Sequence, residues 1–178
     1  IKFQSSQETS RRDLSVLADA GRIRKVHGGA RQVLRCDEGA FDERMGRNAL
    51  AKRLIAEKIT KLITPRQTIF MDTGSTTLIC AEALARVKNL IVVTNSTRIA
   101  ATFASGTGEA EVYLLGGRYI NANSQTVGSS TISDIQKFRA DHAIITIGAL
   151  DMTGAMDYSN DEAQVGRSMI EAASRLTV

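Results

Sequence analysis

Cysteine and histidine occur only twice each in the 178 residues, and proline once. Cys36 and Cys80 are far apart and lack metal-ligand spacing, which argues against a disulfide framework or a structural zinc and for a reducing cytoplasm. With His27 and His142 alone, a histidine-rich metal site is not expected either. No apolar run approaches the roughly 20 residues needed to span a bilayer. The N-terminus has no signal-peptide pattern, so no membrane partner is expected. A Gly-Lys-Ser/Thr phosphate loop is also missing, which disfavours nucleotide hydrolysis.

What is present is ordinary in bulk and uneven in placement. Hydrophobic residues make up 43% and charged residues 24%, as in a soluble globular protein. The length suits one full domain plus a small appendage. The chain starts at Ile1 rather than a methionine, which suggests a fragment. Residues 1–35 hold eight Lys/Arg against Glu8, Asp13 and Asp19, whereas the remainder has fifteen against sixteen acids. A basic end on a near-neutral body is the electrostatic footprint of nucleic-acid binding. A solvated basic tail is the plain alternative.

Residues 6–20 are expected to form a helix capped by Ser6, with Leu14, Leu17 and Ala18 on one face and Gly21 at its stop. Arg22, Ile23, Arg24, Lys25, Val26, His27, Gly28, Gly29, Ala30 and Arg31 then read as a basic hairpin. A short polar helix followed by a basic hairpin suits major-groove insertion with flanking phosphate contacts. His27, beside two glycines, reads as structural or as a phosphate contact rather than as a catalyst.

Two pieces at this spacing, Arg11-Arg12-Asp13-Leu14 and Val26-His27-Gly28-Gly29-Ala30, resemble the recognition helix and wing of DeoR-family bacterial transcription repressors. The resemblance implies a partial winged helix-turn-helix over 1–35 and an effector-sensing α/β domain over 36–178. It implies operator DNA as partner, with Gln7, Thr9, Ser10, Arg11, Arg12, Arg22, Arg24, Lys25 and His27 as candidate contacts. Asp13 is assigned to orienting the helix. The family's winged domain starts further upstream, and its sensor domain continues beyond the position of Val178 into a strand and a Ser-Lys loop.

The body alternates strands and helices. After a polar linker over 32–43, one long helix is expected from about 41 to 63, with Leu50, Leu54, Ile55, Ile59, Leu62 and Ile63 apolar and Pro65 ending it. Strands are expected at 68–71, 90–93, 111–115, 142–147 and 176–178. Helices are expected at 76–87, 96–104, 130–138 and 161–174. This alternation predicts an α/β fold, a mostly parallel Rossmann-like sheet with helices on both faces.

In such a sheet ligands bind beyond the carboxyl ends of the strands. Asp72, Thr73, Gly74, Ser75, Thr76 and Thr77 follow the first strand, and Thr94, Asn95 and Ser96 the second. Gly116, Gly117 and Arg118 follow the third, and Gly148 and Asp151 the fourth. The join at 72–77 gathers backbone N–H groups and hydroxyls at a helix N-terminus, a place that favours an anion; Ser75 or Thr76 as a simple N-cap is the bland alternative. Gly74 is expected to turn the backbone sharply, with a positive φ as one reason for the residue type.

The body resembles the DeoR effector domain through Phe70-Met71-Asp72-Thr73-Gly74-Ser75-Thr76-Thr77, Val93-Thr94-Asn95-Ser96, Leu115-Gly116-Gly117 and Ala140-Asp141. That domain is similar in fold to ribose-5-phosphate and glucosamine-6-phosphate isomerases, and the resemblance implies a phosphorylated-sugar effector, with Glu162 at an acidic family position. No cofactor and no metal are implied. An isomerase of this fold is the alternative, but it needs a carboxylate pair and a nearby lysine that the body lacks. No nucleophilic glutamate in a glycine-rich setting supports a coenzyme A transferase, and a pure oligomerisation module leaves the polar rim and basic segment unexplained. A regulator is therefore expected, non-enzymatic and cytoplasmic. Reading a repeated operator needs two helices, which implies a homo-oligomer.

Overall fold

The computed structural model describes residues 7–19, 23–32 and 39–178. Arg22, the cap Ser6, the stop Gly21 and Cys36 lie outside the described residues. The chain divides into two compact units, Ile1–Asp37 and Glu38–Val178.

In the first unit, α1 (Gln7–Asp19) is followed by β1 (Ile23–Val26) and β2 (Gly29–Gln32), which pair antiparallel. The reversal falls at His27 and Gly28, and Gly28 takes φ +81°, which glycine adopts without steric penalty. The Lys25 ammonium donates to Ser15 Oγ at 2.8 Å, tying the hairpin to the helix.

The second unit begins with α2 (Phe41–Gly46) and α3 (Ala49–Ile59). The single helix expected over 41–63 is thus two helices, and the linker expected over 32–43 already ends at Phe41. The break has a local cause. Arg47 is extended and Asn48 takes the left-handed conformation, φ 55°, which asparagine tolerates better than most residues. The face turned to the core also differs from the expected one. Lys52, Ala56, Ile59 and Ile63 are buried, while Leu50, Leu54, Ile55 and Leu62 stay exposed. α3 ends six residues before Pro65, its last turn tightening through Lys61 N–H to Lys58 O.

There follow β3 (Thr68–Met71), α4 (Ser75–Leu84), β4 (Ile91–Thr94), α5 (Thr97–Ala104) and β5 (Glu111–Leu114). Next are β6 (Arg118–Ile120), a 3-10 turn (Asn121–Asn123), β7 (Gln125–Val127), α6 (Ser129–Ile135) and β8 (His142–Ile144). The unit closes with β9 (Ala149–Asp151), β10 (Gly154–Met156), α7 (Asn160–Glu171) and β11 (Leu176–Thr177). The main sheet runs β11-β8-β3-β4-β5, every pairing in it parallel. Successive side chains point to opposite faces. Ile69 and Met71 of β3 enter one core with Leu78, Leu84 and Phe103, while Phe70 enters the other with Val165 and Met169. Burial on both faces is why β3 and β4 read as continuous apolar runs.

Two hairpins were not anticipated. β9 and β10 form one, and β6 and β7 the other. The second lies across the carboxyl ends of β4 and β5, with Thr126 N–H bonded to Asn95 O at 2.9 Å and Thr97 N–H to Ser124 O at 3.0 Å.

Candidate functional site

The strand order reverses beside β3: β4 and β5 lie on one side of it, β8 and β11 on the other. In a parallel sheet such a switch point leaves a crevice that the crossover connections cannot fill. A cleft of about 450 Å³ lies there, lined by Gly74, Ser75 and Thr76 after β3, by Thr146 and Gly148 after β8, and by Arg44, Arg47 and Lys52 from the α2–α3 corner.

The join after β3 is built tightly. Gly74 is the residue before α4, with φ −162° and ψ 158°, ordinary extended backbone, so the expected positive φ is not the reason for glycine. Close approach is. A Cβ at position 74 would lie 2.2 Å from Thr146 Oγ1 and 3.1 Å from Thr77 Oγ1. Because glycine has no side-chain acceptor, the N-terminus of α4 carries no side-chain cap, and its first N–H groups are left for a ligand or water. Neither Ser75 nor Thr76 is the cap. Ser75 Oγ instead accepts from the Lys52 ammonium at 2.9 Å. The Thr77 hydroxyl, fully buried, bonds Gly74 O at 3.0 Å and Asp72 O at 3.2 Å and so shapes the loop.

Asp72 is buried and accepts from the Thr146 N–H at 2.8 Å and the Thr146 hydroxyl at 3.2 Å. Burial pushes its carboxyl up to about 7, against the downward pull of the Thr146 bonds. Lys52 is shifted the other way, its pKa lowered by burial and by the neighbouring charges of Arg44 and Arg47. Arg44 and Lys52 are both buried, and the ammonium also donates to the Arg44 carbonyl. The Arg44 guanidinium donates to Asn123 Oδ1 at 2.8 Å, and its carbon lies 5.1 Å from the Phe41 ring centroid.

The other expected effector residues are spread more widely. The β6–β7 hairpin buries Thr94, Asn95 and Ser96. Thr94 Oγ1 accepts from Ser96 N–H, Ser96 caps α5, and Asn95 Nδ2 bonds Thr126 O at 2.9 Å. The Thr73 hydroxyl donates to Asn95 Oδ1 at 3.3 Å, joining the cleft edge to that layer. Gly116 O accepts from Thr131, and at Gly117, φ 138°, a Cβ would strike Thr131 Oγ1 at 2.2 Å; both build the entry to β6. Arg118 is exposed and paired with Asp161. Asp151 lies in the β9–β10 hairpin, exposed and bonded to Thr153 and Gly154 in its own turn, so it does not line the cleft. Glu162 stands in the first turn of α7 and accepts from Asn123 at 3.2 Å and Gln125 at 2.5 Å. It therefore bonds the same Asn123 that Arg44 touches.

Arg44, Arg47 and Lys52 were missed in the sequence. A signal was available for Lys52, which shares the i, i+4, i+7, i+11 spacing of Ala56, Ile59 and Ile63 and so falls on the buried face of an amphipathic helix. Arg44 and Arg47 carried no signal, because only the break at Asn48 turns them toward the cleft.

In the first unit, Thr9, Arg11 and Arg12 are exposed on α1 and Ser10 is half-buried; Arg24, Lys25 and His27 are exposed on the hairpin. Gln7 is the first residue of α1. Asp13 is exposed as well. Among the described residues no group of acids, histidines and cysteines could hold a metal, and no helix is long and apolar enough to cross a membrane.

Residues 47–178 match the DeoR C terminal sensor domain, and residues 2–34 match the DeoR-like helix-turn-helix domain. The chain is similar to a glycerol-3-phosphate regulon repressor of Haemophilus influenzae, 33% identical over 94% of this chain and 66% of that protein. It is similar to the HTH-type transcriptional repressor CsqR of Escherichia coli, 33% identical over 96% of this chain and 66% of the other. The transcriptional repressor AccR of Agrobacterium fabrum is 32% identical over 99% of this chain and 69% of its own length. The chain thus spans about two thirds of the length of these relatives.

Proposed function

The chain belongs to the DeoR family, and we propose that it is a DNA-binding transcriptional repressor of sugar or polyol metabolism whose operator affinity is set by a phosphorylated sugar. The observation that carries this is the pairing, in one chain, of a polar helix bearing Arg11 and Arg12 and a basic hairpin with a separate α/β unit holding an uncapped helix N-terminus beside cations in a cleft. The arginines of α1 and the positive charge of β1 suit phosphate contacts along a duplex, with Thr9 and Arg11 toward the bases and Arg12, Arg24, Lys25 and His27 toward the backbone. An anion at the first turn of α4 is favoured by its open N–H groups and by the helix dipole.

Effector occupancy acts through the arrangement of subunits, since two recognition helices in fixed register read a repeated operator. The repressor is a cytoplasmic homo-oligomer and carries out no turnover. Its relatives are named as repressors, one of them of a glycerol-3-phosphate regulon. Gel-shift titration of the intact protein on its operator, with and without glycerol 3-phosphate, ribose 5-phosphate, glucosamine 6-phosphate and their unphosphorylated counterparts, tests the reading. A phosphorylated ligand should change operator affinity by about 5–150-fold, and its unphosphorylated form should not. Operator affinity that no phosphorylated sugar in a broad panel alters would refute the effector assignment, and absence of specific DNA binding would refute the repressor.

A further inference from the structure

Two apolar patches on the second unit face water. The first is the β9–β10 hairpin. Every residue of its two strands is exposed, Leu150 to 70%, and Met152 in the turn is fully so. Leu150 stands opposite Ala155, and Met156 opposite Ala149, so apolar side chains leave both faces of the ribbon. The turn is nevertheless well built: Asp151 accepts from the Thr153 N–H at 2.7 Å and the Gly154 N–H at 3.3 Å. A two-stranded hairpin with nothing packed on it is marginally stable at best in water. The second patch is the outer side of α3. Leu50, 73% exposed, and Leu54 each stand two positions from the buried Lys52, which at 3.6 residues per turn sets them on the side of the helix away from the core.

The two patches differ in charge. From Gly148 to Tyr158 the chain has Asp151 and Asp157 and no Lys or Arg. Asp151 is exposed, and the bonds from Thr153 hold its carboxyl below the usual carboxylate range, so it is ionised at neutral pH. Around Leu50 and Leu54, α3 and the turn after it expose Arg53, Lys58 and Lys61 against one acid, Glu57, and none of these cations has an ion pair among the described residues. We propose that the hairpin of one protomer docks on the outer side of α3 of a second copy of this chain, and reciprocally, so that two such contacts about a two-fold axis form a subunit interface. Apolar surface then covers apolar surface, and Asp151 meets the cations beside Leu50 and Leu54. The hairpin is ill placed to serve its own α3 in this way. Its three-residue strands rise about 10 Å from the lip of the cleft, and Leu50 and Leu54 lie behind a helix about 10–12 Å across. Gly148 and Tyr158 at the base of the hairpin, and Ile55 of α3, line the cleft, so both halves of the interface border on whatever the cleft holds. The proposal rests on the homo-oligomer of the reading above and supplies its contact surface.

Sedimentation velocity of the intact protein over a dilution series tests this, with Leu54→Glu on one patch and Met152→Glu on the other. Both positions are exposed, so both variants should fold with the circular dichroism of the wild type. Each should raise the Kd of self-association about tenfold or more, as a charge placed in the centre of an apolar contact does. Mixed in equal amounts, the two variants should associate more tightly than either alone. The mixed dimer keeps one intact contact, the hairpin of the Leu54→Glu chain on the α3 of the Met152→Glu chain. Asp151→Lys should also weaken association, and added salt should weaken the wild type more than that variant. Absence of the gain on mixing, whichever variant dissociates, would overturn the reciprocal contact; loss of association in Leu54→Glu alone would mean that α3 packs on α3. A wild-type Kd in both variants would overturn the interface while leaving the homo-oligomer intact, and a wild type that stays monomeric throughout would refute the homo-oligomer itself.

Discussion

Gly74→Ala isolates the close approach on which the cleft is built. The backbone at position 74 is extended, so alanine meets no dihedral penalty there, and the whole effect comes from what the new methyl touches. It would stand 2.2 Å from Thr146 Oγ1 and 3.2 Å from Thr146 Cβ. Contact of that kind forces Thr146 to rotate or the loop to move, an overpacking cost of about 1–3 kcal/mol. Rotation would also break the hydroxyl bond from Thr146 to Asp72. For a domain of this size the Tm should fall by about 2–12 °C. Thr146→Ala removes the oxygen in the way, so Gly74→Ala should be milder in that background. A double-mutant cycle by urea unfolding should give a coupling within the roughly 0.5–3 kcal/mol seen for touching residues. Additive effects, or a neutral Gly74→Ala, would refute the argument from close approach. Sugar-phosphate affinity should fall along with stability, because the displaced loop carries the first N–H groups of α4, whereas Ser75→Ala removes only a hydroxyl.

Asp72→Asn tests the buried carboxyl. Folding raises its pKa from 3.8 to about 7, so its favourable contribution is fully present below pH 3.8 and is lost as pH rises through about 7. About three pKa units correspond to about 4 kcal/mol, so the variant should gain on the wild type by roughly that amount between pH 4 and pH 8, and parallel stability–pH curves would contradict the assignment. At the other end of the chain, Arg11→Ala and Arg24→Ala should each weaken operator binding and reduce the slope of log affinity against log salt by about one; unchanged affinity and slope in both would count against DNA contact. Incubation with ribose 5-phosphate or glucosamine 6-phosphate should show no turnover above buffer, and turnover abolished by Asp72→Asn would restore the isomerase alternative.

The sequence by itself determined the elements whose causes are local. The apolar runs at β3 and β4 and the glycine-punctuated basic hairpin are each set by residues a few positions apart, so composition and period were enough to find them. The strand–helix join at 72–77 was visible for the same reason. Tertiary structure decided the rest. Which strand ends stay open depends on strand order, and β8 beside β3 brings Thr146 against Gly74 and Asp72 from far along the chain. The β6–β7 hairpin then closes the ends of β4 and β5, turning Thr94, Asn95 and Ser96 from rim residues into buried ones. A single left-handed residue, Asn48, turned one expected helix into two and swung Arg44 and Arg47 to the cleft. Local pattern reports which residues share a face of one element, but packing between elements decides what that face meets, and so Lys52 on an apolar face acquired a meaning only once α4 stood opposite it.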